Sequence, residues 1–281
     1  MRDGLSAAEP ALVAIPGRRL GLVRDALGEA GEAVSFADMA ELGRNPARII
    51  PAIRRFTDSC RPHRTRFVGE PVWPGRPAAE VAEMTRHEAL INAALAAVPT
   101  TVFCPYDARR LNAAVLEDAR RTHPRVLEDG AQRASAGYRG TTVAQVIGGK
   151  PLPSPPPGAQ SAAFCEQDLP ALREQIWRLA VQEGLSSNRG QDLVMAVHEI
   201  AANTAVHAGG AGMLRMWRDG EALVCEVSDD GWITDPLAGS HPDSDHWDGG
   251  HGLRIANELC DLVELRSGPW GTTVRLHILI C

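Results

Sequence analysis

Two polar residues one helical turn apart, Glu199 and Asn203, have the residue types and spacing to hold a cation and to move a proton. They lie in residues 190–208, whose apolar spacing predicts a helix. A step of four residues places both side chains on one helix face, beside an apolar stripe that can pack on a sheet. The stripe consists of Leu193, Val197, Ile200 and Thr204. A carboxamide oxygen suits Mg²⁺ and a carboxylate suits a general base, although such a pair alone is more typical of a solvated helix face.

A carboxylate also stands at the end of an apolar strand. Asp229 follows residues 223–227, and the chain turns immediately afterwards at Gly231. A strand that ends in this way can direct the carboxylate into a cleft, where it can accept a hydrogen bond from the adenine amino group. Taken alone, the same residues are also typical of an ordinary turn.

A glycine-rich segment leads into another predicted helix. Its residues are Gly249, Gly250, His251, Gly252 and Leu253. Glycines allow backbone amides to approach a phosphate closely, and the start of a helix favours negative charge. A glycine-rich helix start is more often a simple loop, so this motif gains weight only in combination with the other two.

The three motifs in this order, followed by Gly271-Thr272-Thr273, resemble the GHKL ATPase family, which has the Bergerat fold. The resemblance covers about residues 164–277. The short segment 234–248 and the Leu259-Cys260-Asp261 helix end look most like actinobacterial anti-sigma-factor serine kinases of the RsbW and SpoIIAB type.

The resemblance implies a set of ATP-binding and catalytic roles. Glu199 would be the general base for an attacking hydroxyl, and Asn203 would bind Mg²⁺. Asp229 would contact adenine, Gly231 would shape the pocket, and Thr273 would support the adenine end. The phosphates would lie against Gly250, His251, Gly252 and Leu253, under an ATP lid formed by residues 234–248.

The expected partners are a sigma factor or a STAS-domain anti-sigma antagonist. Relatives of this module commonly pair, so a homodimer is one expected assembly. Trp232 and Ile233 depart from the family pattern, because Ile233 replaces the second glycine of D-x-G-x-G. A catalytically inactive ATP-binding partner-switch module, or a ligand sensor, is therefore the alternative to a kinase.

The elements that must position these residues change in character along the chain. Before residue 105, short apolar runs alternate with helical patterns, which predicts a parallel sheet with covering helices. After residue 164, two helices, two hairpins and a further helix predict an α+β two-layer sandwich. We expect a sensory domain over 1–148, a proline-rich linker over 149–163 and the ATPase domain over 164–281.

The N-terminal part resembles the MEDS sensory domain, which is distantly RecA-like, over about residues 10–130. The residues that carry the resemblance lie at 38–46, 69–76, 86–92 and 104–107. It implies sensing, for which a small organic molecule is one expected ligand. Candidate pocket residues are Glu70, His87, Glu88 and Asp107. Alternatively, Glu70 and Asp107 brace turns, and His87 with Glu88 forms a surface pair or a polar contact in the core.

Composition narrows the remaining possibilities. The net charge of −6 argues against direct nucleic-acid binding. No apolar run approaches the ~18 residues needed to cross a bilayer, and we expect neither a secretion signal nor membrane association, so the expected location is the cytoplasm. Six scattered cysteines predict free thiols, and no cluster of metal ligands is visible in the sequence.

Overall fold

The computed structural model describes residues 8–240 and 251–280. The chain divides into two compact units, Met1–Ala144 and Gln145–Cys281. The predicted bounds at residues 148 and 164 remain predictions.

The N-terminal unit is built on a parallel sheet with covering helices, which confirms the predicted α/β class. Its strands are β1 (Ala11–Ile15), β2 (Val34–Asp38), β3 (Thr65–Gly69) and β4 (Thr100–Phe103), followed by the hairpin of β5 (Arg125–Glu128) and β6 (Ala131–Ala134). Its helices are α1 (Gly17–Leu27), α2 (Met39–Leu42), α3 (Ile49–Ser59), α4 (Ala78–Ala94) and α5 (Ala113–Thr122). The first four strands are mutually parallel in the order β2-β1-β3-β4.

Helices cover both faces of this sheet. All five residues of β1 are buried, although neighbouring side chains of a strand point to opposite faces. Leu20 and Val23 of α1 pack on the cluster that contains Val13, while Ala14, which points the other way, is 0% exposed. A strand buried on both sides reads as a continuous apolar run, and this explains the sequence pattern of residues 11–15.

A capped turn precedes α3. The Asn45 side chain accepts a hydrogen bond from the Ala47 amide at 3.3 Å, and Pro46 follows it at the first position of a short 3-10 turn. Proline fits there because the first amides of a helix have no partner within the helix.

The C-terminal unit is a two-layer α+β sandwich, which confirms the predicted fold. Its strands are β7 (Gln160–Cys165), β8 (Ala211–Asp219), β9 (Ala222–Asp229), β10 (Leu262–Gly268) and β11 (Gly271–Leu279). Its helices are α7 (Leu169–Gln182), α8 (Ser187–His207) and α9 (His251–Leu259), while α6 (Thr141–Gly148) crosses the boundary between the units. The strands form an antiparallel sheet in the order β10-β11-β9-β8-β7.

One face of this sheet carries the helices. The shared core includes Ile176 of α7, Val197 of α8 and Leu253 of α9 against Leu223 and Leu276 of the sheet. The predicted stripe of Leu193, Val197, Ile200 and Thr204 is buried, which confirms that this side of α8 faces the sheet. Glu199 and Asn203 are only partly buried, so they border the core without entering it.

The opposite face of the sheet is charged. Arg275 donates to the Glu226 carboxylate at 2.6 and 3.0 Å and to the carbonyl of Pro153 at 2.6 Å, so the proline-rich segment is held against this face. Glu264 lies 2.9 Å from Nε2 of His277. Burial raises the pKa of Glu264, but the hydrogen bond with His277 and the charges of Arg266 and Arg275 outweigh burial, and the net pKa lies below its ordinary 4.5.

This lowered pKa makes the stability of the C-terminal unit depend on pH. The contribution of Glu264 is present above the unfolded value near 4.5 and is lost as the pH falls through the folded value. We expect Glu264→Gln to lower the melting temperature of this unit at neutral pH, and the difference from wild type to narrow below pH 4.5. Calorimetry across this pH range measures the difference in melting temperature, and Glu221→Gln, on an exposed carboxylate, is the control. A difference that does not change with pH would contradict the assignment.

Candidate functional site

The first turn of α9 packs directly on the exposed side of α8. A β-carbon built on Gly252 would lie 2.4 Å from Nδ2 of Asn203 and 3.2 Å from the carbonyl oxygen of Glu199. A larger residue here would have to displace the Asn203 carboxamide, so the glycine motif and the Glu199–Asn203 pair meet at one point. Gly249 and Gly250 lie outside the described residues, as do residues 241–248 of the predicted lid.

The two residues that flank Gly252 in α9 differ in exposure. His251 is exposed at the start of the helix, whereas the Leu253 side chain is 6% exposed and packs in the core. A ligand at this helix start can therefore reach only the main chain of Leu253. The part of the predicted lid that is described, residues 234–240, approaches α9 at Gly239, whose carbonyl accepts from Nδ2 of Asn257 at 3.4 Å.

Asp229 joins the end of β9 to α8 and to the following turn. Its Oδ2 accepts from the Thr204 hydroxyl at 2.6 Å, and its Oδ1 accepts from the Gly231 amide at 2.8 Å. A carboxylate has about four acceptor positions, so both oxygens keep capacity for a ligand. A β-carbon on Gly231 would lie 2.8 Å from Cβ of Ala208 at the end of α8, which leaves no room for a larger residue.

The turn after Asp229 is held by Thr272, not by Thr273. The Thr272 hydroxyl donates to the carbonyl of Gly231 at 2.8 Å and contacts the Ser267 hydroxyl at 2.7 Å. Ser267 in turn accepts from the Ile233 amide at 2.8 Å. Thr272, Val274 and Leu276 are every second residue of β11, so they share one face of the strand, and Val274 and Leu276 pack in the core. Thr272 therefore points to the helix side, whereas the predicted Thr273 points to the charged face.

Gly271 allows β11 to start against this turn. Its φ is +113°, and a β-carbon would lie 2.3 Å from the carbonyl oxygen of Asp229. The residues that depart from the family pattern behave differently from each other. Trp232 is 60% exposed, whereas Ile233 packs against the core.

The N-terminal candidates fall into separate groups. Glu70 follows β3 and forms an ion pair with Arg19 at 2.6 Å; burial raises its pKa, although Arg19 opposes this. Asp107 accepts from the Arg109 amide at 3.1 Å, as expected of a residue that braces a turn. His87 is buried, and burial together with the charges of Arg76 and Arg86 lowers its pKa to about 3.

Glu88 belongs to a third group that the sequence did not reveal. It is 3% exposed and accepts a hydrogen bond from the Tyr106 hydroxyl. Atoms of Glu88, Cys104 and His123 that can bind a metal all lie within 4.8 Å of one another. Burial and the neighbouring Glu88 raise the pKa of the Cys104 thiol, and burial raises that of Glu88. No cluster of metal ligands is visible in the sequence because these three residues are far apart in the chain and come together only in the fold.

Two further expectations from the sequence concern the cysteines and membrane-spanning helices. Cys60, Cys104, Cys165, Cys225 and Cys260 are free, which confirms the predicted thiols among the residues that the structure describes. Within that same part of the chain, no helix has the length and apolar character to cross a membrane.

Comparison with known proteins identifies both units. Residues 1–124 match the model of MEDS, the methanogen/methylotroph, DcmR sensory domain. Residues 163–278 match the model of the histidine kinase-like ATPase domain. The chain thus combines a segment that matches the MEDS domain with one that matches the histidine kinase-like ATPase domain.

Among solved structures, one similar chain contains the RsbU and RsbW domains of a Mycobacterium tuberculosis protein. The two chains are 18% identical with a TM-score of 0.33, over 43% of this chain and 32% of that one. No curated protein matches the chain.

The two neighbouring threonines of β11 provide a matched test of the turn geometry. Thr272→Val keeps the shape of the side chain but leaves the Gly231 carbonyl without its donor, at a cost of about 1–3 kcal/mol. We expect faster hydrogen exchange at the amides of Gly231 and Ile233 in this variant. Thr273→Val, on the other face of the strand, should leave their exchange unchanged. Equal exchange in the two variants would show that Thr272 does not hold the turn.

Proposed function

We propose that the C-terminal unit binds ATP with Mg²⁺ in the space bordered by α8, the turn after β9 and the start of α9. One observation supports this most: Gly252 packs against Asn203 and Glu199, while Thr204 of the same helix donates to Asp229. Residues from three separate sequence motifs thereby border one another. The start of a helix supplies main-chain amides that can donate to a phosphate, and the carboxamide of Asn203 lies beside it.

Each residue has a defined part in this proposal. Asn203 would bind Mg²⁺ through its carboxamide oxygen, and Asp229 would accept from the adenine amino group with its unused acceptor positions. The first turn of α9 would bind phosphate through the amides of Gly252 and Leu253, since their side chains offer no polar group. Magnesium bound with ATP would neutralise negative charge on the phosphates.

The proposed activity is that of a regulatory protein serine kinase. Glu199 lies one turn from Asn203, so its carboxylate can take the proton from a serine hydroxyl that attacks the terminal phosphate. The substrate would be a STAS-domain anti-sigma antagonist, with a sigma factor as the alternative binding partner. The MEDS domain would adjust this activity in response to a small molecule.

The second candidate is an ATP-dependent binding module that transfers no phosphate, and a ligand sensor is its close variant. Its support is the turn after Asp229, where Ile233 packs against the core and the large Trp232 side chain is 60% exposed. An exposed indole beside a nucleotide site offers apolar area to a partner protein. In this case ATP would set the conformation that binds the partner.

Two adjacent carboxylates give a direct test of nucleotide binding. Asp229→Asn keeps the shape of the side chain but replaces acceptor capacity with a donor, so the adenine amino group loses its partner. We expect ATP affinity, measured by calorimetry with Mg²⁺, to fall by about 10–100-fold, the value of a charge-assisted hydrogen bond. Asp230→Asn changes the same charge at an exposed neighbour and should keep wild-type affinity. Equal affinities in both variants, or no binding by wild type, would contradict the proposal.

The general-base role separates the two candidate functions. Glu199→Gln should retain ATP affinity while the formation of phosphoserine on a partner, isolated by ATP-dependent pull-down, falls by about 100-fold or more. Glu183→Gln, on a carboxylate outside the site, is the control. A wild-type protein that holds its partner with ATP and yields no phosphoserine would favour the binding module.

A further inference from the structure

Three elements of the N-terminal unit bring different ligand types to one place. Glu88 lies in α4, Cys104 directly follows β4, and His123 directly follows α5. Oε1 of Glu88 lies 3.4 Å from Nε2 of His123, and the three ligand atoms, Sγ of Cys104 included, are within 4.8 Å of one another. We call these three residues the Glu88 cluster.

The imidazole of His123 is oriented by its other nitrogen. Nδ1 lies 2.8 Å from the carbonyl oxygen of Ala119, which can only accept, so Nδ1 carries the proton of this hydrogen bond. In the neutral ring this leaves the lone pair on Nε2, the nitrogen that faces Glu88. A histidine that binds a metal is usually oriented in this way, through a hydrogen bond from its other nitrogen to a carbonyl.

The carboxylate of Glu88 has one occupied oxygen and one available oxygen. Oε2 accepts from the Tyr106 hydroxyl, whereas Oε1 of Glu88 and Nε2 of His123 are buried atoms without a hydrogen bond of ordinary geometry. Burial raises the pKa of Glu88, and the Cys104 thiol lies close enough to the carboxylate to oppose this by lowering that pKa. Glu88 is 3% exposed, so an unsatisfied oxygen here costs free energy that water cannot restore. Two acceptors facing each other across 3.4 Å are both satisfied by a shared proton, which makes an ion pair, or by a shared cation.

We propose that Glu88, Cys104 and His123 bind one Zn²⁺ ion through Oε1, Sγ and Nε2. Zinc accepts oxygen, nitrogen and thiolate ligands at about 2.0–2.3 Å, and two such ligands on a tetrahedron stand about 3.4–3.6 Å apart. The separation of 3.4 Å between Glu88 and His123 fits this edge without rearrangement. Tyr106 orients the carboxylate through Oε2 and is a positioning residue, not a ligand.

Three protein ligands leave the fourth zinc position to water or to a small ligand that can replace it. Cys104 and His123 are only partly buried as residues, so the cluster lies near the surface of the unit, although Oε1 of Glu88 and Nε2 of His123 are themselves buried. A ligand with a thiol, carboxylate or azole group would fit this position. The cluster lies just beyond the carboxyl end of β4, the side on which parallel sheets usually bind ligands. This inference does not depend on ATP binding.

The test uses the full chain with reduced thiols, stripped with a chelator and then titrated with Zn²⁺ and with Co²⁺ as a coloured substitute. We expect one Zn²⁺ per chain and a thiolate-to-cobalt charge-transfer band in the near ultraviolet. Cys104→Ser should abolish this band, and Glu88→Gln or His123→Gln should each weaken Zn²⁺ binding at least tenfold. The thiolate band distinguishes the Glu88 cluster from histidine or carboxylate sites elsewhere in the chain.

Matched controls come from the same unit. Cys60→Ser and His63→Gln change the same residue types outside the cluster and should leave zinc affinity and the cobalt band unchanged. Tyr106→Phe removes only the hydroxyl and should lower zinc affinity about tenfold while the band stays at its wavelength. Because Tyr106 is not a ligand, a change confined to stability would count against its positioning role.

Several results would overturn the proposal. One is wild-type protein that binds no more Zn²⁺ than Glu88→Gln; another is a cobalt band that survives in Cys104→Ser. A third is that Glu88→Gln and His123→Gln lower the melting temperature equally with and without Zn²⁺, which would identify a simple ion pair. Support requires that Zn²⁺ raises the melting temperature of wild type and not of these variants.

Discussion

The carboxylate of Asp229 is the contact on which the C-terminal site depends. Asp229 ends β9, and its two oxygens hold Thr204 of α8 and the amide of Gly231 at 2.6 and 2.8 Å. This arrangement ties the sheet to the helix that carries Glu199 and Asn203, and it sets the direction in which the chain leaves the sheet. A ligand that engaged Asp229 would therefore meet a group already oriented by two donors, at little cost in side-chain entropy.

Glycines on either side keep that contact accessible. Gly231 and Gly271 allow the chain to pass within van der Waals distance of α8 and of the Asp229 backbone, and Gly252 does the same for α9 on Asn203. In each case a β-carbon would occupy space that the neighbouring group already fills. The glycines thus act through close packing, and at Gly271 also through a positive φ.

In the N-terminal unit, several of the polar candidate residues directly follow parallel strands or helices. Glu70 and Cys104 come directly after β3 and β4, whose carboxyl ends lie at one edge of the sheet. Burial in this part of the unit shifts the pKa values of its titratable side chains. Glu88 and Cys104 both have raised pKa values for this reason, and His87 remains neutral.

The sequence by itself determined the two fold classes and the C-terminal motifs, because apolar periodicity and glycine spacing are local properties. Strands 11–15 and 223–227, and the face of α8 that carries Glu199 and Asn203, follow from side-chain periods of 2 and 3.6. The tertiary structure alone decided which of Thr272 and Thr273 holds the turn, since this depends on which face of β11 packs on the helices. It also decided the Glu88 cluster, whose members are separated by 16 and 19 residues in the chain. No local sequence pattern predicts that these three residues lie close together, because their proximity arises only when the helices and the sheet have packed.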